Sequence, residues 1–213
     1  MFRVGITPDI PKEDGRHRFD LGLAMLDEAE GVELTPLPGE IGREVAAEQI
    51  QGLDALMLWG MQLTERTLEG ADRIGLVARL GVGYDNVDID ACTERGIAVT
   101  ITPDGVRRPM AATTLLLVLA TGHKLLIKDR IARSASWEDR WDHVGRGMTG
   151  RTLGLIGAGN NGIDVFRLAR ALEMRHIAYD PFVSTETAAA EGFELVELET
   201  LLRTADFVVV LCP

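Results

Sequence analysis

The chain of 213 residues is 46% hydrophobic and 26% charged, which is enough to bury one sizeable core or two smaller ones. Its net charge of -11 disfavours nucleic acids and anionic membranes as partners, because like charges repel. The longest apolar run in its most hydrophobic helix, residues 115–120, is far shorter than the ~20 residues of a membrane span, and the first residues do not resemble a signal peptide. We therefore expect a cytoplasmic protein with neither a membrane nor a nucleic acid as partner.

Short apolar strands alternate with helices over the first hundred residues, a rhythm typical of a parallel sheet with helices on its faces. The predicted strands are residues 4–6, 32–35, 55–59, 76–80 and 98–101. Gly31 and Gly96 are expected to follow helix ends, and Asp88 is expected to cap a helix. These elements predict one α/β domain.

A long apolar helix is predicted from Met110 to Ile127, after a turn at residues 103–105. Its apolar residues cover nearly every face, which predicts burial between two domains or between two subunits of a homodimer. Arg107 and Arg108 stand at its start, where the helix dipole disfavours a cation by about 0.3 to 1 kcal/mol. A substrate carboxylate, a phosphate or a neighbouring acid could offset this cost, or the pair could simply be solvated before Pro109.

A second α/β unit follows an irregular connection at residues 134–150. Its predicted strands are residues 152–156, 176–179 and 207–211, and its predicted helices are residues 161–172 and 198–203. Three strands in the order 3-2-1 would leave residues 152–156 as an open edge, because the strands that cover the other side would be missing. We therefore expect the chain to associate through this edge.

A glycine-rich loop connects the first strand of this unit to its first helix. Its glycines are Gly157, Gly159 and Gly162, and Asp180 follows 18 residues later at the end of the next strand. The first glycine permits a tight turn, the second allows close approach of a pyrophosphate, and the third lets the helix pack on the strand. This combination predicts a dinucleotide site, with a purely structural glycine turn as the alternative.

The acidic residue Asp180 favours NAD over NADP. Its carboxylate would accept hydrogen bonds from both ribose hydroxyls and would repel a 2'-phosphate. Residues 181–184 contain no Arg or Lys to offset that repulsion. The alternative is a turn residue before Pro181, because Asp-Pro pairs commonly start turns.

The segment Arg79-Leu80-Gly81-Val82-Gly83-Tyr84-Asp85-Asn86-Val87-Asp88 provides a second, independent signature. With it, the whole chain resembles the D-isomer-specific 2-hydroxyacid dehydrogenases. Further matching motifs are Thr102-Pro103, Trp137, residues 150–157, Tyr179-Asp180-Pro181, and Leu211-Cys212-Pro213.

The resemblance implies an NAD-dependent enzyme that transfers a hydride between NAD and the carbinol carbon of a D-2-hydroxy acid, with the 2-keto acid as the other substrate form. It also implies roles for individual residues. Backbone amides of Gly81, Val82 and Gly83 would hold the substrate carboxylate, although a plain strand-to-helix turn is the alternative. Contacts to the cofactor would come from Asn160 and Asn161 at the pyrophosphate, from Asp180 and Pro181 at the ribose, and from Cys212 and Pro213 at the adenosine.

The chain departs from the family pattern in three places. Asn160-Asn161 replaces a pair that usually includes Arg, and Ala112 stands where Glu is frequent. The family's catalytic Arg, Glu and His are expected after Pro213, so no catalytic residue is assigned within this chain. Its own histidines have no patterned acid partner, and we interpret them as surface or structural residues: His17, His123, His143 and His176.

Two cysteines, Cys92 and Cys212, lack the spacing of a metal site. They fall in a predicted helix and a predicted strand, which favours reduced, buried thiols. We expect neither a metal site nor a disulfide.

The predicted architecture is α/β, with a flavodoxin-like substrate domain over residues 1–102 and the first half of a Rossmann doubly wound NAD-binding domain over residues 103–213. One alternative is a non-enzymatic NAD-dependent binding protein of the corepressor type, although no peptide-binding insertion is evident. Another is a different Rossmann enzyme such as a methyltransferase, against which the segment of residues 79–88 argues.

Overall fold

The computed structural model describes residues 1–13, 16–17, 20–39 and 41–212. The chain divides into two compact units, Met1–Gly105 and Val106–Pro213. The sequence places the domain boundary three residues earlier, between residues 102 and 103.

The first unit contains a five-stranded parallel sheet in the order β4-β1-β5-β6-β7. The strands of this sheet are β1 (Phe2–Ile6), β4 (Val32–Pro36), β5 (Ala55–Leu58), β6 (Leu76–Arg79) and β7 (Ala98–Thr100), while β2 (Lys12–Glu13) and β3 (Arg16–His17) form a separate antiparallel pair. Its helices are α1 (Ala24–Asp27), α2 (Glu65–Leu68), α3 (Ile89–Glu94) and a 3-10 helix, Ala47–Ile50. The five predicted strands are confirmed, and their order is the 2-1-3-4-5 of flavodoxin-like folds.

Local sequence accounts for these elements. The Asp88 carboxylate accepts a 3.0 Å hydrogen bond from the Ala91 N–H and caps α3, as predicted. Gly96 follows that helix at a φ of +67°, a left-handed conformation that suits glycine. Side chains of the central strands, such as Leu56 and Val77, are fully buried in the core.

The second unit contains a four-stranded parallel sheet in the order β10-β9-β8-β11. Its strands are β8 (Thr152–Ile156), β9 (Arg175–Tyr179), β10 (Glu194–Leu195) and β11 (Phe207–Val210). Its helices are α4 (Pro103–Gly122, which begins in the first unit), α5 (Leu125–Ser134), α6 (Asn160–Ala169), α7 (Thr185–Glu191), α8 (Leu198–Thr204) and two 3-10 helices, Trp137–His143 and Arg170–Leu172.

The predicted open edge at β8 is wrong. β8 pairs with β9 on one side and with β11 on the other, so that Gly154 lies opposite both Ile177 and Val208. The sequence analysis missed α7 and the two-residue strand β10, and therefore counted β11 as the third strand of its sheet. Counted in chain order, β8 to β11 give the arrangement 3-2-1-4 of a doubly wound fold, in which the first strand is central.

The predicted long helix is two helices. α4 ends at Gly122 and α5 begins at Leu125, with Lys124 between them at a left-handed φ of 53°. Only one stripe of α4 is buried within this chain, at Ala111, Thr114, Val118 and Gly122. Leu116 and Leu117, on another face, are 57% and 62% exposed. The burial of this exposed face of α4 by a partner chain therefore stays a prediction.

Among the described residues, no single helix is long and apolar enough to cross a membrane. The pair α4 and α5 meets the length and composition criteria only jointly, across a 60° bend.

Candidate dinucleotide and carboxylate sites

The glycine loop of the second unit lies between β8 and α6. Gly157 has a φ of +93°, and a Cβ added to it would lie 2.7 Å from the backbone nitrogen of Cys212. A Cβ on Gly162 would lie 2.8 Å from the carbonyl oxygen of Gly157. A Cβ on Gly159 would meet nothing within 4 Å. The first and third glycines are therefore required by close packing, whereas the second borders open space.

The amino-terminal end of α6 faces this loop. Gly159 is its N-cap, and no side chain caps the helix. The first backbone bond of the helix runs from the Ile163 N–H to the Gly159 carbonyl at 2.9 Å, so the amides of Asn160 and Asn161 precede the helical ladder. Free amides and the helix dipole together favour an anion there. The loop also lies where the strand order reverses, between β8 and β11, which is where doubly wound folds bind ligands.

Asp180 lies immediately after β9 and is tied to the glycine loop. Its Oδ2 accepts a 2.8 Å hydrogen bond from the Ala158 N–H, and its Oδ1 accepts a 2.9 Å bond from the Phe182 N–H. The second bond is the turn role considered as an alternative in the sequence analysis. Each carboxylate oxygen can accept a further bond, so the turn leaves acceptor capacity for a ribose. Pro181 is exposed beside it.

The two cysteines differ in exposure. Cys92 is buried in α3, and this burial raises the pKa of its thiol. Cys212 is exposed, which corrects the prediction of a buried thiol; β11 ends at Val210, so Cys212 follows the strand instead of packing within it. Its backbone adjoins Gly157. Pro213 lies outside the described residues.

Arg107 lies within α4, as its fifth residue, and not before it. Its Nε is 3.2 Å from Oδ2 of Asp164, a residue of α6 that is 3% exposed. Arg167, three residues further along α6, is a second cation on the same carboxylate. The structure thus supplies the neighbouring acid, one of the alternatives left open for this arginine. Arg108 is exposed.

The sequence analysis missed Asp164. A signal was present, because this acid interrupts the apolar face of α6 between Ile163 and Val165. A buried carboxylate requires a cationic or hydrogen-bonding partner, and that requirement points to a nearby arginine.

The glycine loop of the first unit follows β6. The Gly81 N–H donates to the Arg79 carbonyl at 3.0 Å, and its carbonyl accepts from the Thr102 N–H at 2.9 Å. Its amide is therefore already engaged, while those of Val82 and Gly83 make no backbone hydrogen bond among the described residues. Of the three amides predicted to hold a carboxylate, those of Val82 and Gly83 are thus the two without a backbone partner in the described part of the chain, and the site itself stays a prediction.

Arg79 is a further residue of this loop to which the sequence analysis gave no role. Its guanidinium donates to the Leu80 carbonyl and lies against Gly81. Gly81 has a φ of +147°, a backbone conformation that disfavours any other residue. A cation is thereby held directly against the loop that was predicted to bind an anion.

The histidines show no catalytic arrangement within the described residues, where none of them forms an ion pair or hydrogen bond with a carboxylate. His123 is exposed, while His17 and His143 are half-buried. His176 is buried in β9 and stacks on Phe166 with ring centroids 4.7 Å apart. Burial, and secondarily the charge of Arg170, lowers its pKa. In the described part of the chain, no three His, Cys, Asp or Glu side chains are placed to hold a metal ion.

Comparison with known families decides the relationship. The model of the D-isomer specific 2-hydroxyacid dehydrogenase family, catalytic domain, matches residues 20–205. The chain belongs to this family. It is 36% identical to a glyoxylate reductase of Thermococcus kodakarensis over 219 aligned positions, which cover 99% of the chain and 63% of that relative.

Solved structures show the same fold. A protein of Thermus thermophilus superposes with a TM-score of 0.81 and 28% identity, covering 100% of this chain and 65% of that one. A D-lactate dehydrogenase of Aquifex aeolicus, complexed with NAD and lactic acid, gives a TM-score of 0.79 and 22% identity, covering 99% and 60%. The chain thus spans less than two thirds of the length of these proteins.

Proposed function

We propose that this chain forms the NAD-binding and carboxylate-binding parts of an oxidoreductase acting on D-2-hydroxy acids and 2-oxo acids. The observation that carries the proposal is the open space at Gly159, in front of the uncapped end of α6 and beside the Asp180 carboxylate. Family membership and the fold shared with an NAD-bound D-lactate dehydrogenase support it.

The cofactor contacts are assigned from this geometry. Amides at the start of α6, together with the side chains of Asn160 and Asn161, would bind the pyrophosphate. Asp180 would accept from the adenine ribose, and the segment after β11 that includes Cys212 would border the adenosine. When bound, NAD would accept a hydride from the carbinol carbon or, as NADH, return one to the 2-oxo carbon.

The substrate carboxylate would lie on the amides of Val82 and Gly83, with the guanidinium of Arg79 at the start of the same loop, against Leu80 and Gly81. An anion nest of two amides is strengthened by a cation that the fold holds in place. We assign Arg107 to positioning α6 through Asp164, and leave Arg108 as the exposed cation available to a substrate anion. The group that moves the hydroxyl proton is not assigned to this chain, since none of its four histidines has an orienting acid in the part that the structure describes.

The exposed face of α4 is the proposed dimer interface. Leu116, Leu117 and, at the start of α5, Leu126 are large apolar side chains that remain exposed in the single chain. Such neighbouring apolar residues favour association. Leu117→Glu should shift the mass measured by light scattering towards the monomer, whereas a Leu117→Glu chain with unchanged mass would place the interface elsewhere.

The nucleotide site is tested by filling the open space. Gly159→Ala should fold normally, because nothing lies within 4 Å of the added Cβ, yet it should weaken NADH binding at least about tenfold by preventing the close approach of the pyrophosphate. Gly75→Ala is the matched control, since its added Cβ also meets nothing within 4 Å and the residue belongs to the first unit. NADH fluorescence titration measures both. Wild-type affinity in Gly159→Ala would refute the site.

A further inference from the structure

The first unit contains a cavity of about 480 Å³ at the carboxyl ends of its strands. Asp9 follows β1, Gly60 to Gln62 follow β5, and Asp85 and Asn86 belong to the loop after β6. The strand order reverses between β1 and β5, so the cavity occupies the position where open α/β sheets bind ligands. Through Asp85 and Asn86 it borders the loop of Val82 and Gly83.

The walls of this cavity are fixed by hydrogen bonds. Oδ2 of Asp9 accepts a 2.7 Å bond from the Gly60 N–H. The Asn86 side-chain amide donates to the carbonyls of Trp59 and Met61 at 3.2 and 2.8 Å. These bonds hold the ends of three strands together, which gives a ligand a preformed surface.

Asp9, which lines the cavity, has one carboxylate oxygen without a hydrogen-bond partner in the described part of the chain. Oδ1 of Asp9 is buried and makes no hydrogen bond among the described residues. A buried carboxylate oxygen without a donor is costly, so a donor supplied by a ligand would be stabilising. The other charged side chains of the cavity are Asp85 and the exposed Arg43. Asp85 places a carboxylate oxygen 3.8 Å from where a Cβ on Gly83 would lie.

We propose that Asp9 determines substrate specificity by accepting a hydrogen bond from the side chain of the 2-oxo acid. The inference rests on the proposed function, in which Val82 and Gly83 hold the carboxylate of the same molecule. The side chain would then enter the neighbouring cavity, where the carboxylates of Asp9 and Asp85 outnumber the exposed guanidinium of Arg43 and therefore favour a hydroxyl or amino group over a second carboxylate. Asp9 thus selects among substrates and takes no part in the hydride transfer.

Pyruvate and hydroxypyruvate form a matched pair of probes, because they differ by a single hydroxyl group. We expect hydroxypyruvate to bind the 213-residue chain at least about fivefold more tightly than pyruvate, the effect of one hydrogen bond to a charged acceptor. Oxaloacetate, which adds a carboxylate, should bind more weakly than pyruvate. The amide signals of Val82 and Gly83 in a ¹H–¹⁵N NMR titration, with NADH present, report each affinity.

Two variants isolate Asp9. Asp9→Ala should bring the ratio of hydroxypyruvate to pyruvate affinity close to one. Asp9→Asn keeps an acceptor for the Gly60 N–H, so it preserves the wall if the alanine variant fails to fold, and it should tighten oxaloacetate binding at least about threefold by removing one negative charge. Asp72→Asn is the control, because this acid also accepts from a glycine amide, that of Gly52, before β5 and hence at the opposite end of the sheet.

The outcomes separate this inference from the proposed function. If glyoxylate and pyruvate shift the Val82 and Gly83 signals but hydroxypyruvate has no advantage, or keeps it in Asp9→Ala, then Asp9 does not select the substrate. If no 2-oxo acid shifts these signals while NADH still binds, then the carboxylate assignment itself fails. An equal change in Asp72→Asn would show that the effect is not specific to the cavity.

Discussion

The Ala158 N–H donates a 2.8 Å hydrogen bond to the Asp180 carboxylate, which ties the glycine loop to the end of the neighbouring strand. The residue proposed to recognise the ribose therefore also fixes the loop proposed to hold the pyrophosphate. Asparagine at this position would remove the charge and keep one of the two acceptor oxygens, which serve the amides of Ala158 and Phe182.

Cofactor preference should follow that charge. We expect the wild-type chain to bind NADH more tightly than NADPH by at least ~1 to 2 kcal/mol, the scale of one poorly compensated charge contact. Asp180→Asn removes the charge and should lose most of this discrimination, although its single acceptor oxygen can keep the bond from only one of Ala158 and Phe182. Fluorescence titration with both nucleotides measures the change, and equal affinities in the wild type would contradict the role given to Asp180.

The pair of Arg107 and Asp164 should stabilise the contact between α4 and α6. Arg107→Met removes one cation from a buried carboxylate, and we expect it to lower the free energy of unfolding by about 1 to 3 kcal/mol. Adding Asp164→Leu should recover much of that loss, since no buried charge is then left with a missing partner. Urea unfolding of the two single variants and the double variant gives the coupling free energy between the two side chains.

Arg133→Ala is the control for this cycle. Arg133 pairs with Asp129 on the surface of α5, with side chains 79% and 52% exposed, so its removal should cost no more than about 0.5 kcal/mol. Strictly additive effects of the Arg107 and Asp164 substitutions would mean that the two side chains do not interact in solution.

Acid should destabilise the second unit through His176. Burial lowers the pKa of this imidazole in the folded chain, so the unfolded state, with an ordinary pKa near 6.5, takes up the proton first as the pH falls. The stability due to the neutral ring is fully present above that pH and is lost between the ordinary and the lowered pKa. His176→Phe keeps an aromatic ring stacked on Phe166. In this variant the urea concentration at the unfolding midpoint should decrease less between about pH 7 and about pH 5 than in the wild type. An unchanged slope would exclude His176 as its source.

The two thiols should differ in reactivity. Exposed Cys212 should react rapidly with an aromatic disulfide reagent, whereas Cys92 is buried with a raised thiol pKa and should react only on unfolding. Because the backbone of Cys212 adjoins Gly157, saturating NADH should slow its reaction at least about tenfold. Cys212→Ser, which should abolish the fast phase, identifies the residue. A fast phase that NADH leaves unchanged would remove Cys212 from the cofactor site.

The sequence by itself determined the alternation of strands and helices, the five strands of the first unit, and the loop of Gly157, Gly159 and Gly162 with its acid. These features are local. Hydrophobic periodicity sets a strand or helix, and a glycine is required wherever a turn or a close approach excludes a Cβ. A local pattern can be read without knowing which distant segment lies beside it.

Only the tertiary structure decided which strands lie side by side and which distant side chains interact. It placed β11 beside β8, because the two-residue β10 is too short to show a pattern yet shifts the count of every later strand. It also brought Arg107 to Asp164, engaged the Gly81 amide with Arg79, and left Oδ1 of Asp9 without a donor among the described residues. Strand order, ion pairs and buried hydrogen bonds join residues far apart in the chain, and their free energy depends on burial and geometry that exist only once the chain has folded.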